Sequence, residues 1–187
     1  MTPPAPPALE AERAHLAGLL DAIQRCVYFL EASDRKLEWP LTPEFLERNK
    51  KGIALFESLA AVNERFAKLQ DSLGAAMRHA VLLSGEPGET FLKVLAFYEK
   101  VEVLDSVAAW QLCRTMRNLA AHDYETEYAG IAEHFNSVHD LTPGLYGNAD
   151  RFFVYCRNAL GALPARGDFA EEFAAIVRGP GRLPPVG

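Results

Sequence analysis

The chain has 187 residues, 49% of them hydrophobic, and a formal net charge of −6. That length and apolar content suffice for one domain with a real core. The acidic balance excludes a general nucleic-acid coat protein, which must draw in polyanions from a distance, but leaves room for a nuclease that holds a few phosphates in a local pocket.

No stretch approaches the ~18 consecutive apolar residues of a membrane span. The start, Met1–Ala8, is proline-rich and lacks the basic residues and apolar run of a signal peptide, so the expected compartment is the cytosol. Cys26, Cys113 and Cys156 are far apart and odd in number, and each falls within a helical pattern. Reduced core thiols are expected, with neither a disulfide framework nor a zinc site.

Residues 1–7 carry four prolines and read as an extended leader. From about Pro7 the pattern is helical: Leu16, Leu20, Ile23, Val27 and Leu30 recur at intervals of three and four. That helix should end before Trp39-Pro40, because a residue ahead of proline disfavours the α region. Thr42-Pro43-Glu44 reads as N-cap, first-turn proline and first-turn acid. It predicts the start of a long helix in which Leu59, Val62, Phe66, Leu69, Leu73 and Met77 share a face down to about Leu83. Gly74 and the Asn63–Glu64 region are the places where it would bend or break.

Ser84–Glu89 is a loop. Its two glycines do not make a phosphate-cradling turn, since no strand precedes them and no Lys-Ser/Thr follows. Thr90–Val101 predicts a shorter helix with Phe91, Leu95 and Tyr98 on one side. Asp105 or Ser106 caps the next, which carries Val107, Trp110 and Cys113. Thr126 is a candidate cap for a helix holding Tyr128, Ile131, Phe135 and Val138. Thr142-Pro143 repeats the cap-plus-proline start, ahead of Phe152, Phe153, Cys156 and Leu160. Gly167-Asp168 opens a last short helix with Phe169, Phe173 and Ile176, and residues 179–187 form a tail without regular structure. Alternating apolar and polar runs are lacking and β-branched residues are sparse. The expected fold is an all-α antiparallel bundle, one domain over residues 8–178.

The densest chemistry lies at Arg114–Tyr128. Within it Arg117, Asn118, His122 and Tyr124 give R-N-x-x-x-H-x-Y. A cation, an amide, an imidazole and a phenol can together bind a phosphate, move a proton and accept a covalent group. In an ideal helix Arg117 and Tyr124 lie within about 20° of each other, while His122 is about 140° from Arg117. Arg117 and His122 therefore cannot converge on one phosphate from one undistorted helix. Either the helix ends near Ala120–Ala121, or a second copy supplies the partner face.

This motif resembles the R-x4–6-H motif of HEPN domains, in particular the R-x4-H-x-Y form of the HepT ribonuclease toxins encoded beside small MntA-type nucleotidyltransferase antitoxins. Arg65-Phe66-Ala67-Lys68-Leu69-Gln70-Asp71 resembles an earlier helix of one branch of those proteins, and Trp110 ahead of the two arginines fits as well. The similarity covers roughly residues 45–160, leaving an extra N-terminal helix and a C-terminal extension after about Ala162.

The resemblance implies a homodimer with motifs facing each other across a cleft, an RNA substrate, a nucleotidyltransferase partner and no metal or other cofactor. Arg117 and His122 would be catalytic. Arg117 would hold a phosphate oxygen through its planar fork. His122 would take a proton from a ribose 2′-OH or give one to the leaving oxygen. Asn118, Arg114 and Asp71 would bind or support, with Asp71 facing the motif and paired with an arginine. Tyr124 would receive AMP from the nucleotidyltransferase, its added bulk and charge blocking substrate.

Plainer readings stand beside these. The Arg–His–Tyr trio can cap helix carbonyls and close a dimer interface. Arg114 can be a solvated arginine, and Asp71, on the polar stripe Glu64, Lys68, Asp71, Ala75, Arg78, a surface carboxylate. Glu125 and Glu127 suit a helix's first turn but repel RNA locally. His15, His79, His134 and His139 show no metal-ligand spacing. Two other functions compete with the nuclease: a non-catalytic helical partner of a nucleotidyltransferase or nucleotide, and a dimerisation module without a small ligand.

Overall fold

The computed structural model describes residues 7–86, 88–119 and 127–179, and among them it is all-helical. The elements are α1 (Pro7–Asp34), α2 (Pro43–Arg48), α3 (Ile53–Ser84), α4 (Phe91–Lys100), α5 (Val107–Leu119), α6 (Tyr128–Tyr155), a π-helical turn (Cys156–Leu160) and α7 (Ala170–Arg178). No helix among the described residues is long and apolar enough to cross a membrane.

The bundle is built on α1 and α3. Their apolar stripes, including Leu16, Leu20, Ile23, Val27 and Leu30 on one and Leu59, Val62, Phe66, Leu69, Leu73 and Met77 on the other, are fully buried. Cross-links fix an antiparallel register. At one end His79 Nε2 donates to the Glu12 carbonyl at 2.8 Å. At the other, Arg65 Nη1 donates to the Phe29 carbonyl at 3.0 Å and to the Ser33 hydroxyl. The Arg65 guanidinium also lies over the Phe29 ring. The core runs on as one cluster through Val94, Tyr98, Trp110, Phe135, Phe152 and Phe173.

Thr42 is an N-cap, its hydroxyl accepting from Phe45 N–H at 3.2 Å. The helix it starts is only six residues long, however, and the break falls at Asn49–Gly52 rather than at Asn63–Glu64 or Gly74. Asn49 closes α2 by donating from Nδ2 to the Phe45 carbonyl at 2.9 Å, and Gly52 N–H turns back to the Asn49 carbonyl at 2.7 Å. A Cβ at position 52 would lie 3.0 Å from that carbonyl oxygen, a tight approach that favours glycine in this turn. Gly74 stays helical because its missing side chain is replaced by packing. A Cβ there would meet Phe91 Cζ at 3.2 Å and Trp110 Cζ2 at 3.6 Å. The ~1 kcal/mol that glycine costs a helix interior is offset by two aromatic rings seated on the backbone.

The second Thr-Pro pair behaves differently. Thr142 and Pro143 lie inside the continuous α6, and the Thr142 hydroxyl donates back to the Val138 carbonyl at 2.8 Å, where a cap would have accepted. Thr142 is buried, so its hydroxyl turns to the carbonyl one turn back. The residue that precedes α6 is Glu127; Thr126 lies outside the described residues.

Asn136, on α6, holds the segment between α1 and α2. Its Oδ1 accepts from Leu41 N–H at 2.8 Å and its Nδ2 donates to the Leu41 carbonyl at 2.9 Å. At the far end Asp21 accepts from the backbone N–H groups of Arg166 and Gly167, which leads α7 onto α1 and α6. Phe173 stacks on Phe153 with centroids 4.5 Å apart. The three cysteines are free thiols; Cys113 and Cys156 are buried in the core and Cys26 is half-buried.

Burial separates two substitutions on α3. Phe66→Ala should cost about 3–5 kcal/mol of unfolding free energy in denaturant titration. Ile53→Ala, at a residue 75% exposed, should stay within about 0.5 kcal/mol of the wild type.

Candidate functional site

Helix α5 carries the motif's first half. Ser106, not Asp105, caps it, its hydroxyl accepting from Ala109 N–H at 3.0 Å. Asp105 instead accepts from Arg151 at 2.8 Å. Trp110 and Cys113 are buried, and the next step of four along the same stripe is Arg117. That spacing turns the guanidinium toward α3, where Arg117 Nη1 donates to Asp71 Oδ1 at 2.5 Å and to the Ala67 carbonyl at 3.2 Å. The arginine side chain is 17% exposed and the carboxylate 62%. An ion pair so open to water contributes about 1 kcal/mol or less to stability. Its effect is geometric: both bonds use Nη1, and Nε and Nη2 make no hydrogen bond among the described residues.

Arg117 borders a cleft of about 250 Å³ between α3, α4 and α5, lined also by Gln70, Asp71, Gly74, Arg78, Phe91, Trp110 and Arg114. Three guanidinium groups face one carboxylate there. The Arg78 guanidinium lies 4.9 Å from the Phe91 ring centroid, and neither Arg78 nor Arg114 forms an ion pair among the described residues. Gln70 ties the two main walls together: its Nε2 donates to the Trp110 carbonyl at 2.9 Å. Its Oε1 is buried without a partner among the described residues. An unpaired buried acceptor costs about 1–3 kcal/mol, a cost usually kept only where the wall must have that shape or meet water or ligand.

The structure thus brings Arg117, Asp71 and Arg114 to one cleft. Asp71 is both an exposed carboxylate and an arginine's partner. Asn118 belongs to α5, but its side chain, with His122 and Tyr124, lies outside the described residues. Arg78, Phe91 and Gln70 were missed as site residues. The only sequence signal is the polar stripe that holds Asp71 and Arg78 seven apart; Phe91 reads as one side of an apolar helix, and Gln70 figures only within the Arg65–Asp71 stretch.

A second polar cluster was also missed. The Asp34 carboxylate accepts from His139 Nδ1 at 2.8 and 3.0 Å, and the His139 ring stacks on Trp39 with centroids 4.4 Å apart. Trp39 Nε1 in turn donates to the Asp34 carbonyl at 3.1 Å. No sequence spacing links residues 105 positions apart. No group of three or more His, Cys, Asp or Glu among the described residues could hold a metal ion.

What fold and site define together is an all-α bundle with a guanidinium-lined cleft at the end of α5. No family model, curated protein or solved structure gives a significant match to this chain.

Burial raises the Asp34 carboxyl above its ordinary value of 3.8, with His139 pulling the other way. A raised acid favours the fold fully below 3.8 and loses that contribution as pH climbs through the raised value. Asp34→Asn has no such loss. Denaturant midpoints measured from acid to neutral pH should therefore shift progressively in favour of Asp34→Asn.

Proposed function

We propose that this chain is a metal-independent endoribonuclease of the HepT type, active as a homodimer, the toxin half of a pair with an MntA-type nucleotidyltransferase. The observation that carries the reading is the Arg117 guanidinium. It is pinned by Asp71 and Ala67 through Nη1 alone among the described residues, on the wall of a basic cleft and five residues before His122. An arginine meant only to cap a helix would reach the carbonyls of its own last turn. This one reaches across to α3.

In the proposed reaction His122 removes the proton of a ribose 2′-OH. The 2′ oxygen bonds to the adjacent phosphorus, and the bond from phosphorus to the 5′ oxygen breaks. That oxygen takes a proton from the second copy's imidazolium, which becomes neutral as the first becomes charged, leaving a 2′,3′-cyclic phosphate and a 5′-hydroxyl. Arg117 stabilises the charge that builds on the non-bridging oxygens. The two-copy arrangement is what the HEPN resemblance implies, and it would bring together an Arg117 and a His122 that lie about 140° apart on an ideal straight helix. Leu112, half exposed on α5, offers a second copy an apolar contact beside the motif. AMP on Tyr124 would add bulk and negative charge seven residues after Arg117, which would oppose binding of an RNA phosphate.

Purified protein should cleave single-stranded RNA in EDTA. His122→Ala should reduce the rate by about 10²–10⁴-fold, the range for loss of a general acid–base group, with sedimentation still showing a dimer. Cleavage that persists in that variant overturns the role of the histidine. Absence of cleavage, with AMP transferred to Tyr124 by a co-purifying nucleotidyltransferase, would instead identify a non-catalytic partner. Arg117→Lys keeps the charge but not the fork, and should retain RNA binding while losing most of the rate.

A further inference from the structure

We propose that the cleft between α3, α4 and α5 is a second phosphate subsite, in which Arg78 and Arg114 hold the phosphate of a nucleotide whose base stacks on the Arg78 guanidinium. Placed on an RNA strand, it deepens the ribonuclease reading and rests on it.

Charge gives the first argument. The molecule carries −6 overall, yet three arginines meet here, and the one lining carboxylate among the described residues, Asp71, is already engaged by Arg117. Arg78 and Arg114 are left without a carboxylate among the described residues. Two uncompensated guanidinium groups in one concavity repel each other, and a bound dianion or phosphodiester relieves that repulsion.

Geometry gives the second. The Arg78 Cζ lies over the Phe91 ring, 4.9 Å from its centroid, while the arginine stays exposed, so its N–H groups are within reach of a ligand. Guanidinium N–H groups suit phosphate oxygens, and a guanidinium plane suits a nucleobase. Gly74 makes the stack possible, since a side chain at that position would press on the Phe91 ring edge.

Size and spacing set the ligand. The cleft's 250 Å³ lies below the ~300 Å³ at the small end of enclosed small-molecule sites, a size that suits a phosphate with part of one nucleoside better than a whole dinucleotide cofactor. Arg114 and Arg117 are three residues apart on α5, about 4.5 Å along the axis. That closeness fits neighbouring phosphates of one strand, with Arg117 taking the scissile one and Arg78 with Arg114 the next.

The test uses the full chain and two probes: a 2′-O-methyl hexanucleotide, which lacks the attacking hydroxyl and stays intact, and AMP. The double variant Arg78→Gln/Arg114→Gln alters two exposed side chains, and Arg13→Gln/Arg178→Gln, also exposed, removes the same charge elsewhere. By fluorescence anisotropy the first pair should weaken hexanucleotide binding about 10-fold or more, as loss of charge-assisted contacts does. It should also flatten the log K against log salt slope by about 0.7, one single-strand phosphate. The control pair should do neither. Loss of AMP binding alone in the cleft variant would keep the phosphate site but assign it to a free nucleotide. Unchanged binding of both probes in the cleft variant, equal loss in the control pair, or no binding of either probe by the wild type overturns the proposal. Absence of RNA cleavage alongside cleft-dependent probe binding would remove the ribonuclease reading and leave this site standing.

Discussion

The seam between α1 and α3 is the constraint on which the other helices depend. α3 has 32 residues, about 48 Å of continuous helix, and one face is sealed against α1 along most of that length. A rod held so firmly gives α4, α5 and α6 a fixed surface. Gln70 and Asp71 are consecutive on that rod: the first grips the Trp110 carbonyl, the second the Arg117 side chain. The core-facing residue sets where α5 lies, and its solvent-facing neighbour sets how the cation on α5 points. Packing and site geometry are therefore settled by the same turn of helix.

The cleft is a local inversion of the molecule's acidic character. Long-range attraction of polyanions is weak for a chain of this charge. A few guanidinium groups within contact distance of a ligand act inside the screening length of about 8–10 Å, where the distant carboxylates count for little. Such a surface favours ligands that dock closely and discourages non-specific accumulation along a nucleic acid.

Much of the fold was legible because helix periodicity is a local property. The burial of Leu16 through Leu30 and of Leu59 through Met77 followed directly from spacings of three and four. The failures came where identical local chemistry has two outcomes. Thr42-Pro43 caps a helix because the chain before it is extended. Thr142-Pro143 does not, because burial on α6 lets the hydroxyl serve the preceding turn. Gly52 breaks the chain and Gly74 does not, and the difference lies in Phe91 and Trp110, which no window around Gly74 contains. The site shows the same division. Arg117 and Arg114 were visible as a motif, but the Asp71 pairing was suggested only by a resemblance. The Arg78–Phe91 stack and the Asp34–His139 pair needed the tertiary arrangement.

Asn136 has a wider implication. Its amide presents one acceptor and one donor to the two backbone groups of Leu41, the pattern a neighbouring β-strand would offer. Aspartate lacks the donor, serine the reach, and glutamine carries the same group one carbon too far. Position 136 is thus close to a single-letter requirement, imposed by a connecting segment 95 residues away. Divergent chains that keep this architecture should retain that asparagine even where core positions drift among aliphatic residues, which makes it a marker of kinship independent of any catalytic motif.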